Sequence, residues 1–378
     1  MLVTLSSEQE LFRDTTARLL ADRVPLSRLR KMRENPAGYD AAYWSAGAEL
    51  GWTQLLVREE DGGSNLSGQG LVDLSLVAFE FGRHAAPGPL VDTNIVASAL
   101  TGQSGEAQTA ALRELVSGTA IASCCMGVAP WRPRHAGRIE IRKDGADLVI
   151  NGSVRPVESA AQARHLLVSG SSGNSATQVL VASTMPGVSI KPLRSLDVTR
   201  RFAEVNFRDV RVPTANLIGA FGEAHGAVAR QAQIAAVLLA AEQVGAMESA
   251  FAMTLAWAFD RYTFGRPLAS YQALKHRFAD MKSWLEASHA LSDAAAAAVS
   301  ADALDAGELA SAAKAYIGEH GVELAQECVQ LHGGIGVTYE HDLHFFLRRI
   351  TLNRTLYGTP ADHRQLVGAR VVNAERAA

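Results

Sequence analysis

The chain has 378 residues, 48% of them apolar and 20% charged, with a formal net charge of −3. These values are ordinary for a globular protein of two to three domains, and a core of that size needs no disulfide or metal staple. The near-neutral balance gives no electrostatic reason to expect nucleic acid or an anionic membrane as a partner.

The first third reads as helix. Ser7-Glu8-Gln9-Glu10 offers an N-terminal cap with acidic residues in the first turn, and Leu11, Phe12, Ala17, Leu19 and Leu20 continue an apolar face. A helix starting at Tyr43-Trp44 closes at Gly51, Glu60 to Ser64 is a loop by composition, and Leu71 to Phe81 is apolar at helical spacing. From about 119 the period changes to two. Arg138 to Arg142 alternates, Lys143-Asp144-Gly145 is a turn signal, and Leu148-Val149-Ile150 completes a hairpin. Further strands are expected at His165–Val168, Val179–Ala182 and Phe202–Phe207. From about 219 the chain is helical and rich in alanine. Long helices are expected from Ala227 to Phe259, from a Ser270 cap to Ala297, from Glu308 to Leu331 and from His341 to Leu356. Gly265 is expected as the residue just past the first of these, and Thr359-Pro360 starts a last one. The pattern predicts an α+β multidomain protein: a helical domain over 1–118, a β-barrel or sandwich over 119–218, and a C-terminal four-helix bundle over 219–378.

Cys124, Cys125 and Cys328 are too few and too irregular for a disulfide framework or a zinc site, which leads to the expectation of a reducing cytoplasm. His341, His344 and His363 have no cysteine partner and no ligand spacing, so no metal is expected. No basic segment followed by an apolar one opens the chain, and no uninterrupted apolar run of membrane-spanning length occurs, so neither a signal peptide nor a membrane span is expected.

Four phrases stand out along the chain. They are Glu49-Leu-Gly-Trp52 with Glu60-Asp-Gly-Gly63; Val212-Pro213 with Asn216-Leu-Ile-Gly219; Arg261-Tyr-Thr-Phe-Gly-Arg-Pro-Leu-Ala-Ser-Tyr-Gln272; and Gln330-Leu-His-Gly-Gly-Ile-Gly336. With the helix–strand–helix order, they resemble the acyl-CoA dehydrogenase family over nearly the whole chain. The resemblance implies an oxidoreductase of lipid metabolism with FAD extended across a subunit interface, hence a homo- or hetero-oligomer, dimer or tetramer, acting on an acyl-CoA. By position, Arg261, Thr263 and Phe264 match the segment that reaches a neighbour's flavin nucleotide. Tyr271 and Gln272 match its next contact, and Gln330, Leu331, Gly333 and Gly334 match the segment beside the adenosine and pyrophosphate. Thr359 falls where the family places flavin contacts, at the N-cap of a helix that also suits an anion. Arg261, at a helix end, has the fork that holds a pyrophosphate in a bidentate manner. Gly333-Gly334 lies at the wrong helix pole for anion binding, so its use is close backbone approach, or only a helix stop.

The reaction needs a base for the weakly acidic α proton of the thioester. The family's common base is a Glu just before the Gly-Thr of the last loop; here Tyr357 stands there. A tyrosine is almost wholly neutral at pH 7. An alternative position on the helix before Arg261 falls on Ala235, with Glu242 two turns further along the same face, about 10 Å away. Glu242 is either a displaced base or half of an ion pair. The family's loop against the flavin ring is replaced by Cys124 to Trp131. Three readings follow: a dehydrogenase with an unusual base at Tyr357 or Glu242; a non-catalytic partner that completes the FAD site of a paralogous subunit, for example on bulky steroid-type acyl-CoA; and a flavin monooxygenase, which needs no such base. The sequence names no electron acceptor.

Overall fold

The computed structural model describes residues 5–131 and 139–377. Arg138, expected in the first strand, lies outside them. In chain order come helices α1 (Ser7–Arg23), α2 (Leu26–Leu29), α3 (Ala41–Glu49), α4 (Gly70–Arg83), α5 (Leu90–Leu100) and α6 (Glu106–Val116). Strands β1 (Ala122–Met126), β2 (Ile139–Asp144), β3 (Asp147–Glu158), β4 (His165–Ser172), β5 (Ser175–Ala182), β6 (Val188–Leu193) and β7 (Phe202–Pro213) follow. Then come α7 (His225–Asp260), a hairpin of β8 (Tyr262–Thr263) and β9 (Arg266–Pro267), and α8 (Gln272–Ser300), α9 (Ala306–His332), α10 (Leu343–Asn353) and α11 (Pro360–Ala377). The expected order of helices, sheet and helices is the order observed.

The chain divides into two compact units. One comprises Met1–Leu29, Leu71–Ala86 and Ala236–Ala378; the other comprises Arg30–Gly70 and Pro87–Ala235. In the second unit the strands form one sheet in the order β1-β4-β2-β3-β7-β6, with β5 also paired to β4. Most pairs are antiparallel, but β1 runs parallel to β4. The hairpin of β2 and β3 closes through Gly145 at φ 64°, and Ile139 and Ile141 are buried while Glu140 and Arg142 face out, as period two requires. β1 escapes sequence detection because it is buried almost throughout and so does not alternate, and β6 because its Val188-Ser-Ile-Lys alternation is short, never fully buried and followed by Pro192. The basic pair Arg200-Arg201 is satisfied within this unit. Arg200 bonds the Glu158 carboxylate at 2.9 Å, and Arg201 donates to the carbonyls of Met32, Asn35 (2.7 Å) and Val198 (2.8 Å).

In the first unit α9 packs against α8, α10 and α11. α4 and α7 cross where both lack a side chain. A Cβ on Gly82 would sit 1.8 Å from the Glu242 carbonyl, and one on Gly245 would sit 2.0 Å from that of Phe79. The two glycines let the backbones touch. α7 is long and apolar enough to cross a membrane by length and composition, but 83% of its apolar stretch is buried, as in a core helix.

Three local expectations are corrected. The first helix is capped by Ser6, one residue before the expected start, through a reciprocal pair with Gln9 (3.2 and 3.1 Å). α7 ends at Asp260, so Gly265 does not terminate it but forms the hairpin turn. Ser270 does not cap α8: its hydroxyl donates to the Pro267 carbonyl at 2.7 Å, and the cap position is Tyr271.

Candidate functional site

The residues singled out on the last third of the chain all lie in the first unit and fall into two groups. The first begins at the end of α7. The Arg261 amide closes on the Trp257 carbonyl at 2.9 Å, its own carbonyl accepts from Leu268 at 2.8 Å, and Tyr262 and Thr263 pair with Pro267 and Arg266. The tip is Phe264-Gly265, with φ of 50° and 80°, the two left-handed residues of a tight hairpin turn. Glycine adopts this readily; phenylalanine does so at a cost. Phe264 is nonetheless 94% exposed. Tyr271 braces the hairpin, its hydroxyl donating to the Thr263 carbonyl at 2.6 Å while the Arg266 guanidinium covers its ring at 3.9 Å. Gln272 is exposed beside it.

An aromatic stack ties this hairpin to the end of α9. The Trp257 ring lies on His332, centroids 5.4 Å apart and 17° from parallel, and the Arg261 guanidinium lies 5.9 Å from the centroid of the Trp257 ring. His332 bonds the Cys328 carbonyl through Nδ1 (2.8 Å), and burial pushes its pKa down. The helix stops at Gly333, whose φ of 65° and ψ of −142° suit glycine alone. Gln330, Gly333 and Gly334 are exposed, Leu331 is half-buried, and a Cβ on either glycine would meet nothing within 4 Å. The Trp257–His332 stack thus brings the Arg261 hairpin, with Thr263, Phe264, Tyr271 and Gln272, to the end of α9 that carries Gln330, Leu331, Gly333 and Gly334; Arg261, Phe264, Gln272, Gln330, Gly333 and Gly334 are exposed and Thr263, Tyr271 and Leu331 are half-buried.

The second group lies toward the other end of α9. Thr359 caps α11: its hydroxyl and amide meet the Asp362 carboxylate at 2.7 and 2.9 Å, and the Asp362 amide returns to the hydroxyl at 3.3 Å. Tyr357 precedes it in a left-handed conformation, φ 55°, half-buried. Lys314 on α9 touches this turn and lies sixteen residues before Gln330, about 24 Å along the helix axis. Within one chain, then, Tyr357 and Thr359 are far from the Arg261 surface.

Glu242 is committed to other partners. Its carboxylate pairs with Arg349 and accepts from the Asn353 amide at 3.1 Å, and Arg349 also donates to the carbonyls of Ala85 (3.2 Å) and Ala86 (3.0 Å). All three side chains are buried. Ala235, at the family's alternative base position, is buried and carries no functional group. On β1, Cys124 and Cys125 are buried and the Cys124 amide already donates to Asp92 at 3.0 Å. Sequence reasoning missed Arg349, Asn353 and Lys314. The small and apolar residues three and four positions from Lys314, Ala310, Ile317 and Gly318, share its helix face and were the signal that it faces inward.

A helical N-terminal segment, a mixed sheet and a helical C-terminal segment ending in a glycine- and arginine-bearing surface define the fold of an acyl-CoA dehydrogenase. Residues 6–119 match the acyl-CoA dehydrogenase N-terminal domain and residues 226–372 the acyl-CoA dehydrogenase C-terminal domain. The chain is 32% identical over 370 residues to acyl-CoA dehydrogenase IpdE2 of Mycolicibacterium smegmatis, covering 97% of this chain and 100% of the relative. It belongs to the acyl-CoA dehydrogenase family and is a flavoenzyme-type oxidoreductase. Its fold matches a variant of the Tcur3481-Tcur3483 steroid ACAD, with TM-score 0.87, 24% identity, and 99% and 100% of the two chains covered. It also matches the ChsE4-ChsE5 complex of Mycobacterium tuberculosis, with TM-score 0.88, 21% identity, and 98% and 99% covered.

The side chains present fit the nucleotide end of FAD. Arg261 offers a cation, Gln272 and Gln330 offer exposed amides, and Gly333 and Gly334 offer bare backbone for close approach.

Proposed function

We infer that this chain is the subunit that completes the FAD site of a paralogous acyl-CoA dehydrogenase, the assembly carrying out α,β-dehydrogenation of an acyl-CoA thioester. The single observation behind this reading is the division of the candidate residues: the residues proposed for the nucleotide lie at one end of α9 with Arg261, Gln272, Gln330, Gly333 and Gly334 exposed, while none of the three positions considered for the base holds a free carboxylate. Tyr357 replaces the glutamate, Ala235 is inert, and Glu242 is locked to Arg349. FAD, when bound, supplies the hydride acceptor. This chain contributes Arg261 to the pyrophosphate, Gln272 and Gln330 to the polar groups of the nucleotide, and the Gly333-Gly334 backbone to its surface.

Two of the structures with this fold support a two-chain assembly by what they contain, one a complex of two different chains and one a steroid enzyme named for two. A bulky, steroid-type acyl-CoA is the substrate class proposed here. The buried free cysteines fit a cytoplasmic location. A homomeric enzyme using Glu242 as base would require that carboxylate to leave a buried guanidinium, which costs several kcal/mol.

The test is expression of the chain alone and with a candidate paralogue, recording the visible flavin spectrum and acyl-CoA turnover with an artificial electron acceptor. Flavin and turnover in the complex only are the expected result. Turnover by the chain alone that collapses in Glu242→Gln, with stability unchanged, would overturn it in favour of the homomeric enzyme.

A further inference from the structure

The turn joining α10 to α11 is held from three sides by side chains that the proposed reaction does not use. α10 ends at Asn353 without a glycine cap, so its last carbonyls need other partners. The Ile350 and Leu352 carbonyls accept from local amides, and Lys314, 1% exposed on α9, serves the last one: its ammonium donates to the Asn353 carbonyl at 2.5 Å and reaches the Gly358 carbonyl at 3.5 Å. Both of these partners are backbone carbonyls, and a buried ammonium satisfied by carbonyls rather than a carboxylate is costly to keep. A methionine would fill the same space; only the donor hydrogens distinguish lysine there.

His363 on α11 acts on the residue between. It is 5% exposed, and its Nε2 lies 3.0 Å from the Tyr357 carbonyl. A carbonyl only accepts, so Nε2 carries the proton. Burial, reinforced by the Lys314 charge, lowers the histidine's pKa to about 4, which leaves the ring neutral at pH 7 with Nδ1 bare. The third side is the Thr359–Asp362 cap. Between these anchors Tyr357 keeps φ at 55°, a conformation that costs a non-glycine residue on the order of 1–3 kcal/mol and persists only when its surroundings over-determine it. The same network reaches a second such residue: the Asn353 side chain bonds Glu242, which pairs with Arg349, which donates to the carbonyl of Ala85 at φ 47°.

We propose that Lys314 and His363 are positioning residues that lock the backbone of the Tyr357–Gly358 turn, and thereby fix where the Tyr357 phenol and the Thr359 cap are presented. The inference rests on the family reading only for what the turn faces; the lock itself is a property of this chain. Neither residue touches the reacting atoms. Each acts through a carbonyl of the turn.

The experiment is limited trypsin digestion of the full-length chain, followed by mass spectrometry of the fragment released by cleavage after Arg354, an exposed residue at the start of the turn. Cleavage after Arg277, exposed on α8, is the internal control. Lys314→Met and His363→Leu are expected to raise cleavage after Arg354 about tenfold, the effect of losing roughly one hydrogen bond on a local opening, with Arg277 unchanged. His363→Gln, whose amide reaches the same carbonyl, should stay near wild type. In the flavin-loaded complex the first two variants should lose flavin faster than wild type on gel filtration, because Thr359 stands where the family contacts the flavin, and His363→Gln should retain it.

Unchanged cleavage after Arg354 in both variants would overturn the lock, and so would an equal rise at both arginines, which marks general unfolding. Faster cleavage with unaltered flavin retention would overturn the positioning role. If Lys314→Met does not fold, the His363→Leu and His363→Gln pair decides the matter alone. A wild-type complex without flavin would sink the proposed function, while the proteolysis still decides the lock.

Discussion

The Glu242 carboxylate and the Arg349 guanidinium, 107 residues apart in sequence, form a buried ion pair at the centre of the C-terminal helices. Arg349 also holds the Ala85 and Ala86 carbonyls, and Asn353 fills the second carboxylate oxygen. The pair joins α7 and α10 to the end of α4. Removing one partner of such a pair strands a buried charge at a cost of about 3–5 kcal/mol, whereas replacing both with apolar groups is far milder. Glu242→Leu should therefore lower the urea midpoint sharply, and Glu242→Leu with Arg349→Met should recover a large part of the loss. Two additive single effects would contradict the pairing.

Phe264 offers a cleaner separation of fold from function. Its φ of 50° favours glycine and its side chain is 94% exposed, so the fold gains little from the ring. Phe264→Gly should change stability by no more than about 1 kcal/mol in either direction. The same substitution should reduce flavin retention by the assembled complex, read from the visible spectrum after gel filtration. Full retention would show that the ring has no role at the nucleotide.

Gly333 and Gly334 are neighbours with different constraints. Gly333 has φ 65° and ψ −142°, so Gly333→Ala strains the backbone and should lower the melting temperature. Gly334 is not left-handed, and an added Cβ meets nothing in the chain. Gly334→Ala should leave the melting temperature within a degree or so of wild type, in keeping with a neutral surface change, yet weaken flavin binding. Normal flavin content in Gly334→Ala would mean that the nucleotide does not approach this backbone.

Two buried bases set a pH dependence with one sign. His363 titrates near 4 in the folded chain against 6.5 ordinarily, and burial lowers Lys314 to about 7 from 10.5. Between each pair of values the unfolded chain binds more protons, so stability rises with pH there and falls as pH drops. The windows are about 4 to 6.5 for His363 and about 7 to 10.5 for Lys314, each with a slope of up to ~1.4 kcal/mol per pH unit. Urea unfolding at pH 5 and 6.5 should show a flatter rise in His363→Leu, and unfolding at pH 7.5 and 9.5 a flatter rise in Lys314→Met. Slopes equal to wild type would contradict burial of these groups as bases.

Much of this organisation could be read in one sequence because it is local. The Thr359-Pro360-Ala361-Asp362 cap is complete within four residues, the β2–β3 hairpin is written in alternation around Gly145, and the helix–sheet–helix order follows from the change of period. What stayed hidden depends on distance along the chain or on competition for one donor. No spacing rule joins Glu242 to Arg349, and the carbonyls that Lys314 serves lie 39 and 44 residues away. Ser270 resembles a cap until the nearby Pro267 carbonyl takes its hydroxyl. Gly265 resembles a helix stop because helix ends and tight hairpins both call for a left-handed residue.

The most direct measurement is flavin stoichiometry in the chain purified alone and in complex with a paralogous acyl-CoA dehydrogenase subunit, each as wild type and as Arg261→Ala. The predicted result is a colourless lone chain, a yellow active complex, and loss of most flavin from the complex when Arg261 is replaced. A lone chain that carries FAD and oxidises acyl-CoA, or a complex whose flavin is indifferent to Arg261→Ala, would contradict the division of labour between two subunits.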